Sequence, residues 1–453
     1  MGKVCVIGAG SSGIASCQVL HARGIDFDCF EKGSGVGGNW RYENDNGMSS
    51  AYASLFINTS REMMEYASYP MPDSYPDYPH HSQIAAYFDD YVDHFGFRDK
   101  ISFHTEVTLV EPAGDGCWRV TTDDGRDEVY EAVLVANGHH WDPKWPEPPF
   151  PGQESFTGEQ LHSHHYREPD ERFEGRRVLV LGIGNSATDI SVETSRVSEM
   201  TYLAMRRGAY VIPKYIAGKP TDQFAPDWAS RLPFSITRTM FMRQLKQIQG
   251  DMEDYGLPAP DHRFGEAHPT LSSDLLTRIG HGRITPKPNI ARIHDDTVHF
   301  VDGTNAEIDT IVWCTGYRIT FPFLESEVLD TSGNHAPLFR RVVHPKRPGL
   351  YFIGLVQPLG AIMPIAELQS EWIADVLEGR SALPGPETMR SEIADEEEAM
   401  RRRYVASTRH TIQVDYRPYM RLLSKERRRT EGERRPLGQT APEASPEPAA
   451  AGG

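Results

Sequence analysis

Short apolar runs that end in glycine-rich turns recur along this chain. Val4-Cys5-Val6-Ile7 leads into Gly8-Ala9-Gly10-Ser11-Ser12-Gly13, and Val178-Leu179-Val180-Leu181 leads into Gly182-Ile183-Gly184-Asn185-Ser186-Ala187. Runs this short, with no polar residue at alternate positions, predict strands covered on both faces, as in a parallel sheet. The small and polar residues behind them predict a tight turn and then a helix start. A strand, turn and helix in that order cradle a pyrophosphate. Glycine lets the backbone come close, and the helix N-terminus offers free N–H groups and the positive end of its dipole. One such unit is a weak signal. Two, each with its own strand, imply two dinucleotides held at once and electrons passed between them.

Other apolar runs extend the pattern. Phe27-Asp28-Cys29-Phe30 follows the first unit and Met200-Thr201-Tyr202-Leu203-Ala204-Met205 follows the second, each predicting the next strand. Three more runs, 132–138, 309–317 and 350–355, carry a glycine at or near their ends and return the chain to the carboxyl edge of a sheet. The expected fold class is α/β, with two Rossmann-like dinucleotide-binding domains and the second inserted into the first. The boundaries read as 1–154 for the first part of the outer domain and 155–305 for the insert. Within the insert, the Pro-rich and aromatic stretch 208–280 forms a subdomain or lid. The second part of the outer domain covers 306–425 and takes the strands near Ile311 and Tyr351. A polar tail, 426–453, is too poor in apolar residues to fold and is expected to be disordered.

The two units differ after their second strands. The first ends at Glu31, at the distance where an acid accepts hydrogen bonds from ribose hydroxyls. The second ends in Arg206-Arg207-Gly208, with no acid there. A guanidinium forks onto phosphate oxygens. The second unit is therefore expected to prefer NADPH, and the first an adenine dinucleotide without the 2′-phosphate.

Charge and cysteine usage narrow the picture. The 453 residues carry a formal charge of −17, which gives no general attraction for nucleic acid or an anionic membrane. Cofactor phosphates must then be met by local cations such as Arg206 and Arg207. Cys5, Cys17, Cys29, Cys117 and Cys314 form no C-x-x-C, which excludes a dithiol redox motif and a zinc ribbon. Scattered thiols fit a reducing cytosol. The first strand begins near Lys3, which leaves no signal peptide, and no run is long enough to cross a bilayer. A cytoplasmic protein without a membrane anchor is expected. The basic run Lys425-Glu426-Arg427-Arg428-Arg429 reads as a solvated helix end. His162, His164 and His165, with the pairs His80-His81 and His139-His140, lack the carboxylate or cysteine partners of a metal site, and no metal is expected.

The segment Phe156-x-Gly158-x-x-x-His162-x-x-x-Tyr166, lying between the two units, resembles the fingerprint of the flavin-containing monooxygenases. Gly37-Gly38-Asn39-Trp40 resembles that family's flavin-side loop, and the stretch from Tyr52 to Met64 its active-site segment. The likeness extends to about residue 420 and implies FAD in the first unit and NADPH in the second. On the FAD side it implies Gly8, Ala9, Gly10, Ser11, Ser12, Gly13, Glu31, Asn39, Trp40, Asn58, Thr59, Val107 and Gln357. On the NADPH side it implies Gly182, Gly184, Asn185, Ser186, Ala187, Thr188, Asp189, Arg206 and Arg207. Asn58 is the implied catalytic side chain, because a neutral amide can donate to a peroxide without titrating.

The implied reaction is NADPH- and O2-dependent oxygenation of a soft nucleophilic nitrogen or sulfur, in an amine or sulfide, through a C4a-hydroperoxyflavin. The alternatives are a Baeyer–Villiger monooxygenase acting on ketones and an NADPH-driven flavin reductase or oxidase. The fingerprint's tyrosine, Tyr166, favours heteroatom oxygenation. Expected partners are the small-molecule substrate and O2, with a homodimer left open. Relatives that sit in membranes carry an apolar C-terminal anchor, where this chain has a polar tail.

Overall fold

A computed structural model describes residues 2–224, 234–403 and 411–430 of the chain. Two five-stranded sheets organise them, and every pairing within each sheet is parallel. The first runs Leu350–Phe352, Ala132–Val135, Val4–Ile7, Phe27–Phe30, Ile101–Ser102. The second runs Glu159–His162, Thr310–Trp313, Arg177–Leu181, Met200–Ala204, Ile284–Lys287. In each, the strand that ends in the glycine turn is central. Its sequence neighbour lies on one side, and a strand from much later in the chain lies on the other.

The short apolar runs are covered on both faces because alternate residues enter different cores. Val4 and Val6 pack with the helices Ser11–Ala22 and Met363–Leu377. Cys5 and Ile7 pack with Val110, Trp118 and Tyr130 of a three-stranded antiparallel meander over residues 107–130. The second sheet repeats this arrangement. Val178 and Val180 meet Ala187 and Ile190 of the helix Asn185–Thr194. Leu179 and Leu181 meet Ile293, Val298 and Ala306 of a second meander. Both domains therefore have three layers: helix, parallel sheet and meander.

The chain enters the second domain after Ala132–Val135 and leaves it after Thr310–Trp313, as an α/β insertion requires. The two crossings run side by side, joined where Asp142–Pro143 pairs antiparallel with Tyr317–Arg318. This moves the expected return point. The sequence places the run around Ile311 in the outer domain from position 306, but Thr310–Trp313 pairs with Arg177–Leu181 and Glu159–His162 in the second sheet. Asn305–Glu307 likewise pairs within the second meander. Leu350–Phe352 does join the first sheet.

The expected tail is also corrected at its start. Glu426 is 2% exposed and accepts hydrogen bonds from the Arg340 guanidinium. The Arg427 Nε donates to Asp375 at 2.8 Å, and Arg429 pairs with Glu426. Carboxylates thus hold two of the arginines read as solvated. Positions 431–453 lie outside the described residues. Among the described residues no helix is long and apolar enough to cross a membrane.

Candidate active site

The first glycine turn is shaped from both sides. A Cβ on Gly13 would stand 1.8 Å from the Gly8 carbonyl oxygen, so the helix can approach its strand only with glycine there. Gly10 is different. A Cβ there would meet no protein atom nearer than 3.7 Å, and Gly10 lines the central cavity. The room it keeps is room for a ligand. Gly10 also caps the helix Ser11–Ala22 with no side-chain hydrogen bond, which leaves the first N–H groups for an anion.

Glu31 is only 4% exposed. It accepts hydrogen bonds from the Ala9 N–H at 2.8 Å, the Gly33 N–H at 2.7 Å and the Asn46 amide at 3.1 Å. It ties the turn to the following loop while still lining the cavity.

That cavity, about 1270 Å³, joins the two units. From the first it is lined by Gly8, Gly10, Ser11, Ser12 and Glu31, with Asn39, Trp40, Asn58 and Thr59 between its strands Phe27–Phe30 and Ile101–Ser102 and Val107 and Gln357 at the starts of strands. From the second come Gly184, Asn185, Ser186 and Ala187. It exceeds the roughly 300–1,000 Å³ typical of one small-molecule site, as two long cofactors require. The Asn58 Oδ1 is buried with no hydrogen-bond partner, which is costly unless a ligand supplies one. The Asn39 Oδ1 accepts from the Ser50 N–H at 2.8 Å, so this asparagine holds its own loop. Gln357 opens a short strand paired with Gln413–Asp415, which brings Asp415 and Tyr416 to the cavity wall.

Four expected contacts lie elsewhere. Ala9 and Gly13 line neither cavity, being packed behind the turn. Thr188 is fully buried, and its hydroxyl donates to the Asn185 carbonyl at 2.9 Å. The Asp189 carboxylate accepts the Tyr52 hydroxyl, and burial pushes its pKa up to about 6. Asp189 therefore docks the second unit's helix onto the first domain. One helical turn later, Glu193 accepts the Tyr166 hydroxyl at 2.9 Å.

Behind the second turn, a cavity of about 210 Å³ is lined by Gly182, Gly184, Arg206 and Arg207. It meets the larger one at Gly184, His268 and Cys314. Among the described residues Arg206 has no carboxylate partner, while the Arg207 Nε lies 3.4 Å from Asp261.

Three polar groups near Asn58 escaped the sequence reading, all from the 208–280 stretch. The Lys214 ammonium donates to the Ile57 carbonyl at 3.3 Å. Asp222 accepts the Ser60 N–H at 2.7 Å, and the Gln223 amide donates to the Ser60 hydroxyl at 2.8 Å. Their one signal was a cluster of polar residues in an otherwise Pro-rich and aromatic stretch.

The fingerprint forms the joint between the domains. A Cβ on Gly158 would lie 2.2 Å from the Asp309 carbonyl oxygen. The Arg167 guanidinium donates to the Ser49 carbonyl at 3.0 Å, and its own carbonyl accepts the Ala53 N–H at 2.7 Å. His162 is fully buried, its Nδ1 accepting the His164 N–H at 3.1 Å, and burial lowers its pKa to about 4. Among the described residues no group of three His, Cys, Asp or Glu side chains is placed to hold a metal ion.

Comparison with known proteins accounts for this arrangement. The family model described as flavin-binding monooxygenase-like matches residues 1–428. The chain is 39% identical over 431 residues to flavin-containing monooxygenase 5 of Rattus norvegicus, covering 91% of this chain and 80% of that one. It is 36% identical over 442 residues to dimethylaniline monooxygenase [N-oxide-forming] 2 of Oryctolagus cuniculus, covering 94% and 82%. Its fold superimposes on the S-allyl-L-cysteine S-oxygenase of Allium sativum with a TM-score of 0.71 at 26% identity, over 95% of this chain and 89% of that one. The chain therefore belongs to the flavin-binding monooxygenase-like family, as an enzyme that works with FAD and NADPH.

Proposed function

We propose that this protein oxygenates a soft nucleophilic nitrogen or sulfur in a small amine or sulfide, using NADPH and O2. FAD lies along the first glycine turn and NADPH along the second. The observation that carries this reading is the single cavity that joins both turns, with the unpaired Oδ1 of Asn58 in its wall. When bound, the cofactors supply reducing equivalents to O2 and an electrophilic oxygen for the substrate. The protein's part is to hold, orient and keep dry.

Ser11, Ser12 and the helix N-terminus meet the first pyrophosphate, and Gly184 to Ala187 meet the second. Asn58 presents a neutral amide to the reacting centre and needs no proton of its own. Thr59 and Gln357 complete that wall. A nucleophilic substrate attacks without general-base help, so the site needs no Ser/His/Asp set. The activities named for the relatives, N-oxide formation and S-oxygenation, support the heteroatom reading. A cytoplasmic setting is supported by the free thiols of Cys5, Cys17, Cys29, Cys117 and Cys314.

The test is Asn58→Leu, assayed with a panel of amines and sulfides. The variant should keep its visible flavin spectrum and still consume NADPH, but release hydrogen peroxide in place of oxygenated product. Normal product yield per NADPH would remove Asn58 from the catalytic role.

A further inference from the structure

The small cavity behind the second turn contains an unexpected charge. Its lining includes Asp261 and His262 beside Arg206 and Arg207. Segment 258–262 reaches it from the 208–280 stretch and is pressed close. A Cβ on Gly208 would stand 2.2 Å from the Pro258 carbonyl oxygen and 2.5 Å from that of Ala259. The Tyr210 hydroxyl donates to the His262 carbonyl at 2.9 Å. The His262 Nδ1 lies 3.0 Å from Asp261 Oδ1, and Asp261 Oδ2 lies 3.4 Å from the Arg207 Nε. The hydrogen bond from His262 and the charge of Arg207 hold the Asp261 carboxyl below its ordinary pKa, so it is ionised at neutral pH.

We propose that Asp261 limits how strongly this enzyme prefers NADPH over NADH. Its carboxylate occupies Arg207 and places a negative charge on the wall that receives the 2′-phosphate, which leaves Arg206 as the phosphate's main cation. This rests on the reading of the second unit as the NADPH site. A 2′-phosphate entering this pocket meets two guanidiniums and one carboxylate, not two guanidiniums alone. NADH, with only a 2′-hydroxyl, loses nothing to the carboxylate. The interaction is half-exposed, with the Arg207 and Asp261 side chains 43% and 49% exposed, so its effect is modest.

The test uses the FAD-loaded enzyme and calorimetric titration with adenosine 2′,5′-bisphosphate and adenosine 5′-monophosphate, alongside kcat/KM for NADPH and NADH. Asp261→Asn should tighten the bisphosphate about two- to fivefold, the range of an exposed charge pair, and leave the monophosphate unchanged. The gain should shrink in the double variant with Arg207→Ala, where only the direct repulsion between carboxylate and phosphate is left to relieve. Arg206→Ala should weaken the bisphosphate roughly 10- to 150-fold. If Arg206→Ala weakens it but Asp261→Asn does not tighten it, Asp261 only supports its loop and the proposal falls, while the NADPH site stands. If neither arginine variant changes bisphosphate affinity, the site assignment itself is wrong. Asp261→Ser, with thermal melting as a fold check, guards against an effect peculiar to the asparagine amide.

Discussion

The two nucleotide units share one architecture and differ in how they meet a cofactor. Each has a helix, a five-stranded parallel sheet and a three-stranded meander. In the first, the second strand is followed by Glu31, 4% exposed and tied to the turn and the loop behind it by three donors. In the second, the same place holds an exposed arginine pair that lines a small cavity, with one member already engaged by Asp261. A buried, hydrogen-bonded acid suits a cofactor that stays. Exposed cations suit one that binds and leaves with each turnover, because exposed charges attract in solution and cost little to rehydrate.

The largest predicted effect separates the two kinds of glycine in the first turn. Gly13→Val drives a side chain into backbone, and no folded, yellow protein should be recovered. Gly10→Val should fold, judged by circular dichroism and melting temperature, but lack the visible flavin spectrum. A yellow Gly10→Val protein would remove the pyrophosphate from that turn.

Next in size is Glu31→Gln. An amide in place of the carboxylate turns one accepting oxygen into a donor facing N–H groups. The loss should be about 1.5–3 kcal/mol of stability, with flavin released on gel filtration. Arg206→Ala, its counterpart in the second unit, should change stability by less than about 0.5 kcal/mol, as exposed substitutions do. Equal melting shifts for the two would erase the contrast drawn above.

Ionic strength gives a smaller effect. Raising salt from about 0.05 M to about 0.5 M shortens the screening length well below 10 Å. The KM for NADPH should rise several-fold while bound flavin per protein stays constant. Parallel loss of flavin would mean that the first site also depends on exposed charge.

A further comparison concerns the joint between the units. His162 has a folded pKa near 4, below its ordinary 6.5, so the unfolded chain binds its proton first as the pH falls. That costs stability between pH 6.5 and 4. Asp189 has a folded pKa near 6, above its ordinary 3.8, so its contribution runs the other way: stability is gained as pH falls from 6 towards 4. The two slopes offset each other in the parent. Asp189→Asn should therefore steepen the acid fall in melting temperature, and His162→Asn should flatten it. Identical slopes in both variants would show that neither group titrates as its burial implies.

Much of the site was legible in the chain because its signals are local. A short unalternating apolar run followed by Gly10 or Gly184 names a strand, a turn and a helix start within about a dozen residues. Glu31 and Arg206 sit where the next strand must end. The fingerprint glycine, Gly158, is legible as a motif, although the Asp309 carbonyl it makes room for is far along the chain. Asn58 falls within a recognisable segment, and its Oδ1 is buried without a hydrogen-bond partner.

Other features are not local. Thr310–Trp313 has the apolar face of a strand for either sheet, and its place beside Arg177–Leu181 depends on packing across more than a hundred residues. Thr188 and Asp189 share a motif with Asn185, but the cavity takes in Asn185, Ser186 and Ala187 and neither of the two residues that follow. Asp189 instead receives Tyr52 from the other domain. Lys214, Asp222 and Asp261 come from a stretch with no periodic pattern, and their roles appear only when it folds back over Asn58 and Arg207. Apolar periodicity and turn chemistry are written in neighbouring residues. Charge pairing and domain docking are set by residues that become neighbours only after the chain has folded.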